Sequence, residues 1–265
     1  MIEEVMQNPL LAPLRLPGET YRLPSQGLFY EDGVLDESVK NGEVEVYPMT
    51  AIDEIVISTP DKLLSGKAII EVLAHCVPQI KNARALLAKD VDFLMVCLRR
   101  VSFGQFMEVS YTHNCPNAKD YTYTVDLQKM IRDAKSIDPT TINEEYKCFL
   151  DNGQTVTLHP MTYGDIIDLY QDTMMLKTDI TDEKEAEKII VNTITSVVKD
   201  VDGVTNPGFI REWVSQLKLG WKKQIQETIE SATDWGVDMK SPQVCSDCGV
   251  NMDLKISANP VNFFI

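Results

Sequence analysis

The run Cys245-Ser246-Asp247-Cys248-Gly249 is the part of this chain best suited to chemistry. Two thiolates in a C-x-x-C-G turn can point at one metal ion, and the glycine permits the tight knuckle. A four-ligand site needs a second pair. Cys115 lies between an alternating Val109, Tyr111, His113 pattern and a second one at Tyr121, Tyr123 and Val125, which predicts a hairpin with the cysteine at its tip. Ala118 stands where a C-x-x-C partner would be. His113, on the same side of the strand as Cys115, is the nearest candidate for a fourth ligand. Three readings follow: a structural zinc held by Cys115, Cys245, Cys248 and His113; a ribbon without metal; and a redox dithiol. The motif does not open a helix, where thiolates are normally activated, and this counts against the dithiol.

The remaining chemistry-bearing residues read as structural. Cys76 and Cys97 fall in apolar helical patterns, and Cys148 in a strand pattern, as small buried hydrophobes do. His159 aligns with Tyr47 in an internal echo described below, so its position accepts a non-catalytic residue. His75 lies beside apolar residues in a predicted helix. The chain has no G-x-S-x-G, no Walker-type glycine loop and no H-E-x-x-H. Aspartate and glutamate are too plentiful for one acid–base pair to stand out. An enzyme is not expected, nor a small-molecule substrate.

The elements that must position the knuckles occur twice. Asn41-Gly42 leads into Val44-Glu45-Val46-Tyr47-Pro48-Met49-Thr50 and Asp53; Asn152-Gly153 leads into Val156-Thr157-Leu158-His159-Pro160-Met161-Thr162 and Asp165. Each copy predicts a strand ended by proline, then a helix capped by threonine with aspartate at capping-box spacing. Helices follow, with Ile69, Ile70, Leu73, Cys76 and Val77 on one face in the first half and Ile189, Ile190, Ile194, Val197 and Val198 in the second. Each half returns to a cysteine-bearing hairpin. The expected fold is α+β: two similar lobes from an internal duplication, each a small β-element plus helices, whose hairpins join in a zinc-ribbon-like unit. The expected organisation is an extended Leu/Pro-rich arm at 1–40, a first repeat at 41–132, a linker at 133–143 and a second repeat at 144–265.

The bulk numbers set limits. With 265 residues the chain can bury a substantial core. Its formal charge of −15 disfavours nucleic acid, since phosphate binding needs clustered Lys and Arg. Glu3 and Glu4 replace the basic start of a signal peptide, and no apolar run approaches the roughly 20 residues of a membrane span. Synthesis and folding in the cytoplasm, without membrane insertion, are expected. Leu10, Leu11, Leu14 and Leu16 in the arm, and Phe263 and Phe264 at the apolar end, are candidate partner-binding residues. A terminus of that kind is tucked into a core or into a partner.

Several runs carry a resemblance. They are Leu23-Pro24-Ser25-Gln26-Gly27-Leu28-Phe29-Tyr30, Thr59-Pro60-Asp61-Lys62-Leu63-Leu64, Leu98-Arg99-Arg100-Val101-Ser102-Phe103-Gly104 and Asn259-Pro260-Val261-Asn262-Phe263-Phe264. Together they resemble the baseplate hub proteins of T-even-type contractile-tailed phages, a family of hub subunits and hub-assembly factors. The resemblance implies a structural role at the base of the tail tube, with other tail and baseplate hub proteins as partners. It implies a site of action in the host cytoplasm during assembly and in the virion tail baseplate afterwards. Relatives carry a full C-x-x-C in the first hairpin, and Ala118 departs from that pattern.

Overall fold

Alternating apolar residues become strands in both halves, and β2 shows why. Val44 and Val46 are buried while Glu43 and Glu45 face solvent, so one side of the pleat is core and the other is water. A computed structural model describes residues 17–112, 120–140, 142, 146–175, 183–256 and 263–264. In chain order the elements are strands β1 (Glu19–Arg22) and β2 (Glu43–Val46), helices α1 (Ala51–Ile57), α2 (Pro60–Leu64), α3 (Lys67–Cys76) and α4 (Ala88–Phe103), a hairpin of β3 (Phe106–Thr112) and β4 (Asp120–Asp126), and helix α5 (Leu127–Arg132). The second half supplies β5 (Lys147–Phe149), β6 (Thr155–Leu158), α6 (Tyr163–Met175), α7 (Glu183–Val197), β7 (Val198–Val201), α8 (Pro207–Gln216), α9 (Leu219–Ala232) and a hairpin of β8 (Lys240–Val244) and β9 (Asn251–Lys255). The fold is mixed α and β with small antiparallel sheets. No helix among the described residues is long and apolar enough to cross a membrane.

The echoed residues build the same joint twice. Thr50 N–H and Thr50 Oγ1 each donate to Asp53 Oδ2 at 2.7 Å, closing the cap of α1. Thr162 N–H and Oγ1 donate to Asp165 Oδ2 at 2.8 and 2.7 Å, closing the cap of α6. Aspartate thus does the work of the usual Glu or Gln. In both halves the residue just after the strand reaches the last residue of a following helix, α3 or α7: Tyr47 N–H donates to Cys76 O at 2.8 Å, and His159 N–H to Val197 O at 2.9 Å.

Around this joint the halves differ, and a duplication of whole lobes does not emerge. Strand β6 pairs with β5 on one side and β7 on the other, whereas β1 and β2 form a two-stranded sheet. The two Asn-Gly turns also differ. Asn41 and Gly42 both have positive φ, 53° and 72°, as a type I′ turn requires. At the second, Gly153 has φ of 88° and Asn152 does not have positive φ. Hairpins β3–β4 and β8–β9 are separate two-stranded sheets, and the tip of the first, with Cys115, lies outside the described residues, so the expected ribbon-like unit is not shown.

A Cβ on Gly42 would lie 2.7 Å from the carbonyl carbon of Gln26 and 2.8 Å from Gly27 N, both backbone. One on Gly153 would meet nothing within 4 Å. Gly42→Ala is therefore expected to cost about 3 kcal/mol, from the left-handed conformation plus the clash. Gly153→Ala is expected to cost about 1 kcal/mol from conformation alone. Urea unfolding of the two variants checks the difference, and equal midpoints would remove the close approach from the account.

Two main cores form. The first gathers Leu23, Val44, Val46 and Ile57, the inner faces of α3 and α4, and Met107, Val125 and Leu127. The second gathers Cys148, Val156 and Leu158 with Ile194, Val197, Ile210, Val214, Ile225 and Ile229. Their boundary does not follow the sequence halves. Val237, Ile256, Phe263 and Phe264, all past α9, pack in the first core. Residues 133–140 of the expected linker run as a strap: Lys135 and Gly236 exchange backbone hydrogen bonds at 3.0 and 2.8 Å, and Ile137 is buried against Leu87 and Trp235. The start of α4 completes the join, with Ala88 N–H donating to Met161 O at 2.9 Å and Tyr163 N–H to Leu86 O at 2.7 Å.

Candidate functional site

The Cys245 knuckle sits at the tip of β8–β9. Cys245 N–H donates to Val250 O at 3.0 Å, and Gly249 N–H donates back to Cys245 O at 2.9 Å. Gly249 takes φ of 71°, the left-handed conformation that its place in the knuckle was expected to require. Cys245 is buried and Cys248 exposed. His113, Cys115 and Ala118, half of the expected zinc-binding hairpin pair, lie outside the described residues. The arm residues Leu10, Leu11, Leu14 and Leu16 also lie outside them. Phe263 and Phe264 take the other of their two readings: they are 2% and 4% exposed, edge to face with ring centroids 5.2 Å apart, within the chain's own first core. Cys76, Cys97 and Cys148 are buried, as their patterns predict.

The resembling motif at Leu23–Tyr30 has a physical explanation. It wraps over the N-terminus of α4 and converges on Asp90, which is 0% exposed. Ser25 N–H donates to Asp90 Oδ1 at 3.1 Å, Ser25 Oγ donates to Oδ2, and Tyr30 Oη donates to Oδ2 at 2.7 Å. Leu87 N–H donates in turn to Tyr30 Oη at 3.1 Å. Gly27, at φ of 81°, turns the segment back. The motif at Leu98–Gly104 is similarly spent on the fold. Arg100 pairs with Glu19 and Tyr21 Oη, Ser102 Oγ accepts from Met49 N–H at 2.9 Å, and Gly104 ends α4 at φ of 101°.

Burial pushes the Asp90 carboxyl up to about 6, although its three hydrogen bonds oppose the shift. The folded value lies above the unfolded one, so the folded state holds a proton that the unfolded state has lost between about pH 4 and 6. Asp90 therefore contributes stability that is full below pH 4 and lost as pH rises through about 6, by up to about 1.4 kcal/mol per pH unit. Asp90→Asn is expected to remove this slope from the unfolding free energy measured against pH. An unchanged slope would show that Asp90 is ionised throughout.

A second buried carboxylate was not visible in the sequence as anything but a cap. Asp53 is 3% exposed, and its Oδ1 lies 2.8 Å from His75 Nδ1 at the end of α3. The Cys76 thiol also bonds to Asp53, and burial together with that carboxylate pushes it up to about 12. Ligand atoms of Asp53, His75 and Cys76 all lie within 4.8 Å of one another, so the three are placed to hold a metal ion. The signal was the cap itself: an aspartate whose helix lies against the next one has a second oxygen to spend.

Helix α1 carries the clearest outward feature. It buries Asp53 and Ile57 and leaves Ile52 and Ile55 71% and 67% exposed, with Leu64 of the adjoining α2 at 59%. Grouped exposed apolar residues of this kind mark contact surfaces. A cleft of about 940 Å³ lies between α5, the strap and β8–β9. Four of its charged groups pair with one another, Lys129 with Asp133 and Lys135 with Asp234, both at 2.7 Å.

The sequence model of a family described as T4 bacteriophage base plate protein matches residues 35–265. No curated protein and no solved structure gives a significant match.

Proposed function

This chain belongs to the T4 bacteriophage base plate protein family, and on that premise we propose that it is a structural subunit of the tail baseplate hub. In this reading it holds other tail and hub proteins together around the base of the tail tube. It acts without catalysis, nucleic acid or small-molecule substrate. It folds in the host cytoplasm and ends in the virion tail. The family match, which spans most of the chain, carries the proposal.

The geometry supports it in two ways. The resembling motifs at Leu23–Tyr30 and Leu98–Gly104 are consumed in holding the fold, which suits a part selected for shape. Ile52, Ile55 and Leu64 are left outside as a surface for another baseplate protein. A structural zinc at Cys245 and Cys248, completed by Cys115 and His113, belongs to the same reading. The backbone of the Cys245 knuckle supports it. A second reading, a transient hub-assembly chaperone absent from the mature virion, is favoured by the net charge of −15, which suits a soluble holder of a sticky partner.

Interrupting the gene in its phage and viewing the tails by electron microscopy tests both. Tails without complete baseplates are expected. Normal, infectious particles would overturn the baseplate role.

A further inference from the structure

We propose that Asp53, His75 and Cys76 form a binding site for a borderline-soft divalent cation, zinc above all, with a fourth position open to water. Three observations carry this.

The first is convergence. A carboxylate oxygen, an imidazole nitrogen and a thiol sulfur meet within 4.8 Å from two helices, and two of the three side chains are buried. The second is an internal control. In the second half Asp165 makes the same two cap bonds, and the same backbone link joins strand to helix end. There Ser196 and Val197 stand where the first half has His75 and Cys76. The joint is thus complete without an imidazole or a thiol, and the first half carries both in addition. The third is division of labour on Asp53. Its Oδ2 serves the cap, while Oδ1 faces His75, so coordination through Oδ1 leaves the helix start intact.

The donor set selects the ion. Thiolate and imidazole suit zinc and poorly suit calcium or magnesium, which take oxygen ligands. Carboxylate and thiolate together neutralise the two positive charges, and the Cys76 proton leaves to solvent on binding. Tetrahedral zinc needs donor atoms about 3.3–3.6 Å apart. The Asp53–His75 contact of 2.8 Å must therefore open by about half an ångström. The His75 side chain, 59% exposed, is able to turn by that much, and its open side leaves the fourth position to water. The ion would clamp the start of α1 to the end of α3, beneath the helix that carries Ile52 and Ile55. The site stands independently of the baseplate reading.

The test uses the full chain carrying Cys245→Ser and Cys248→Ser, so that the knuckle contributes no thiolates. Cobalt(II) is titrated in, the thiolate-to-cobalt charge-transfer band is followed, and zinc is used to displace it. About one equivalent is expected to bind. His75→Ala, with circular dichroism as the check that the fold is kept, is expected to weaken binding at least about tenfold. Cys76→Ser is expected to abolish the band. Absence of the band before these changes, or binding that His75→Ala leaves as tight, would overturn the site.

Discussion

Replacing Asp90 with alanine is expected to cost the folded protein about 4 kcal/mol, a large share of the stability of a domain this size. Three donors end on this carboxylate: Ser25 N–H, Ser25 Oγ and Tyr30 Oη. All three meet it at a fully buried position. Alanine leaves them facing a small cavity, and each buried donor without an acceptor costs about 1–3 kcal/mol, offset in part by no longer burying a carboxyl. Loosening Ser25 and Tyr30 also frees the segment that brings Leu23 into the first core. Asp90→Asn keeps the shape and one acceptor oxygen, so it should cost about 1 kcal/mol. Chemical unfolding of both variants reads the ranking. Equal costs for alanine and asparagine would mean that packing, and not the hydrogen bonds, holds the segment.

Charging the outer face of α1 is expected to spare the fold and disable assembly. Ile52 and Ile55 are mostly exposed, so Ile52→Glu with Ile55→Glu should change stability by less than about 0.5 kcal/mol per site. If this face meets another baseplate protein, burying two carboxylates in an apolar contact costs at least about 2 kcal/mol, roughly a thirtyfold loss of affinity. Phage lacking the gene and supplied with the doubly substituted protein should yield few complete baseplates. Wild-type incorporation of this variant would move the contact surface elsewhere.

The parts of the fold legible in the sequence were those set by neighbours in the chain. Valine alternation at Val44 and Val46 gave a strand, proline ended it, and threonine with aspartate three residues on gave a capped helix, twice. Periodicity also placed Cys76, Cys97 and Cys148 inside. It did not reveal partners far apart in sequence. Nothing beside Asp90 in the chain points to Ser25 and Tyr30, which come to it across a loop with several left-handed residues. Helix α1 runs against the usual pattern, burying an aspartate and exposing isoleucines. The cause is local: the cap and His75 take up the buried carboxylate. The echo between halves led to an expectation of two lobes, yet similarity of a joint does not dictate similarity of what packs around it. The chain beyond α9 crosses to the first core because its apolar residues Val237, Ile256, Phe263 and Phe264 fit there. The cysteine knuckle was legible as a turn.

The most direct test of the central claim is quantitative mass spectrometry of purified mature phage particles. A structural hub subunit predicts this chain at a fixed number of copies per tail. Its absence from mature particles, with presence in assembly intermediates, would contradict a permanent structural role and leave the transient assembly factor in its place.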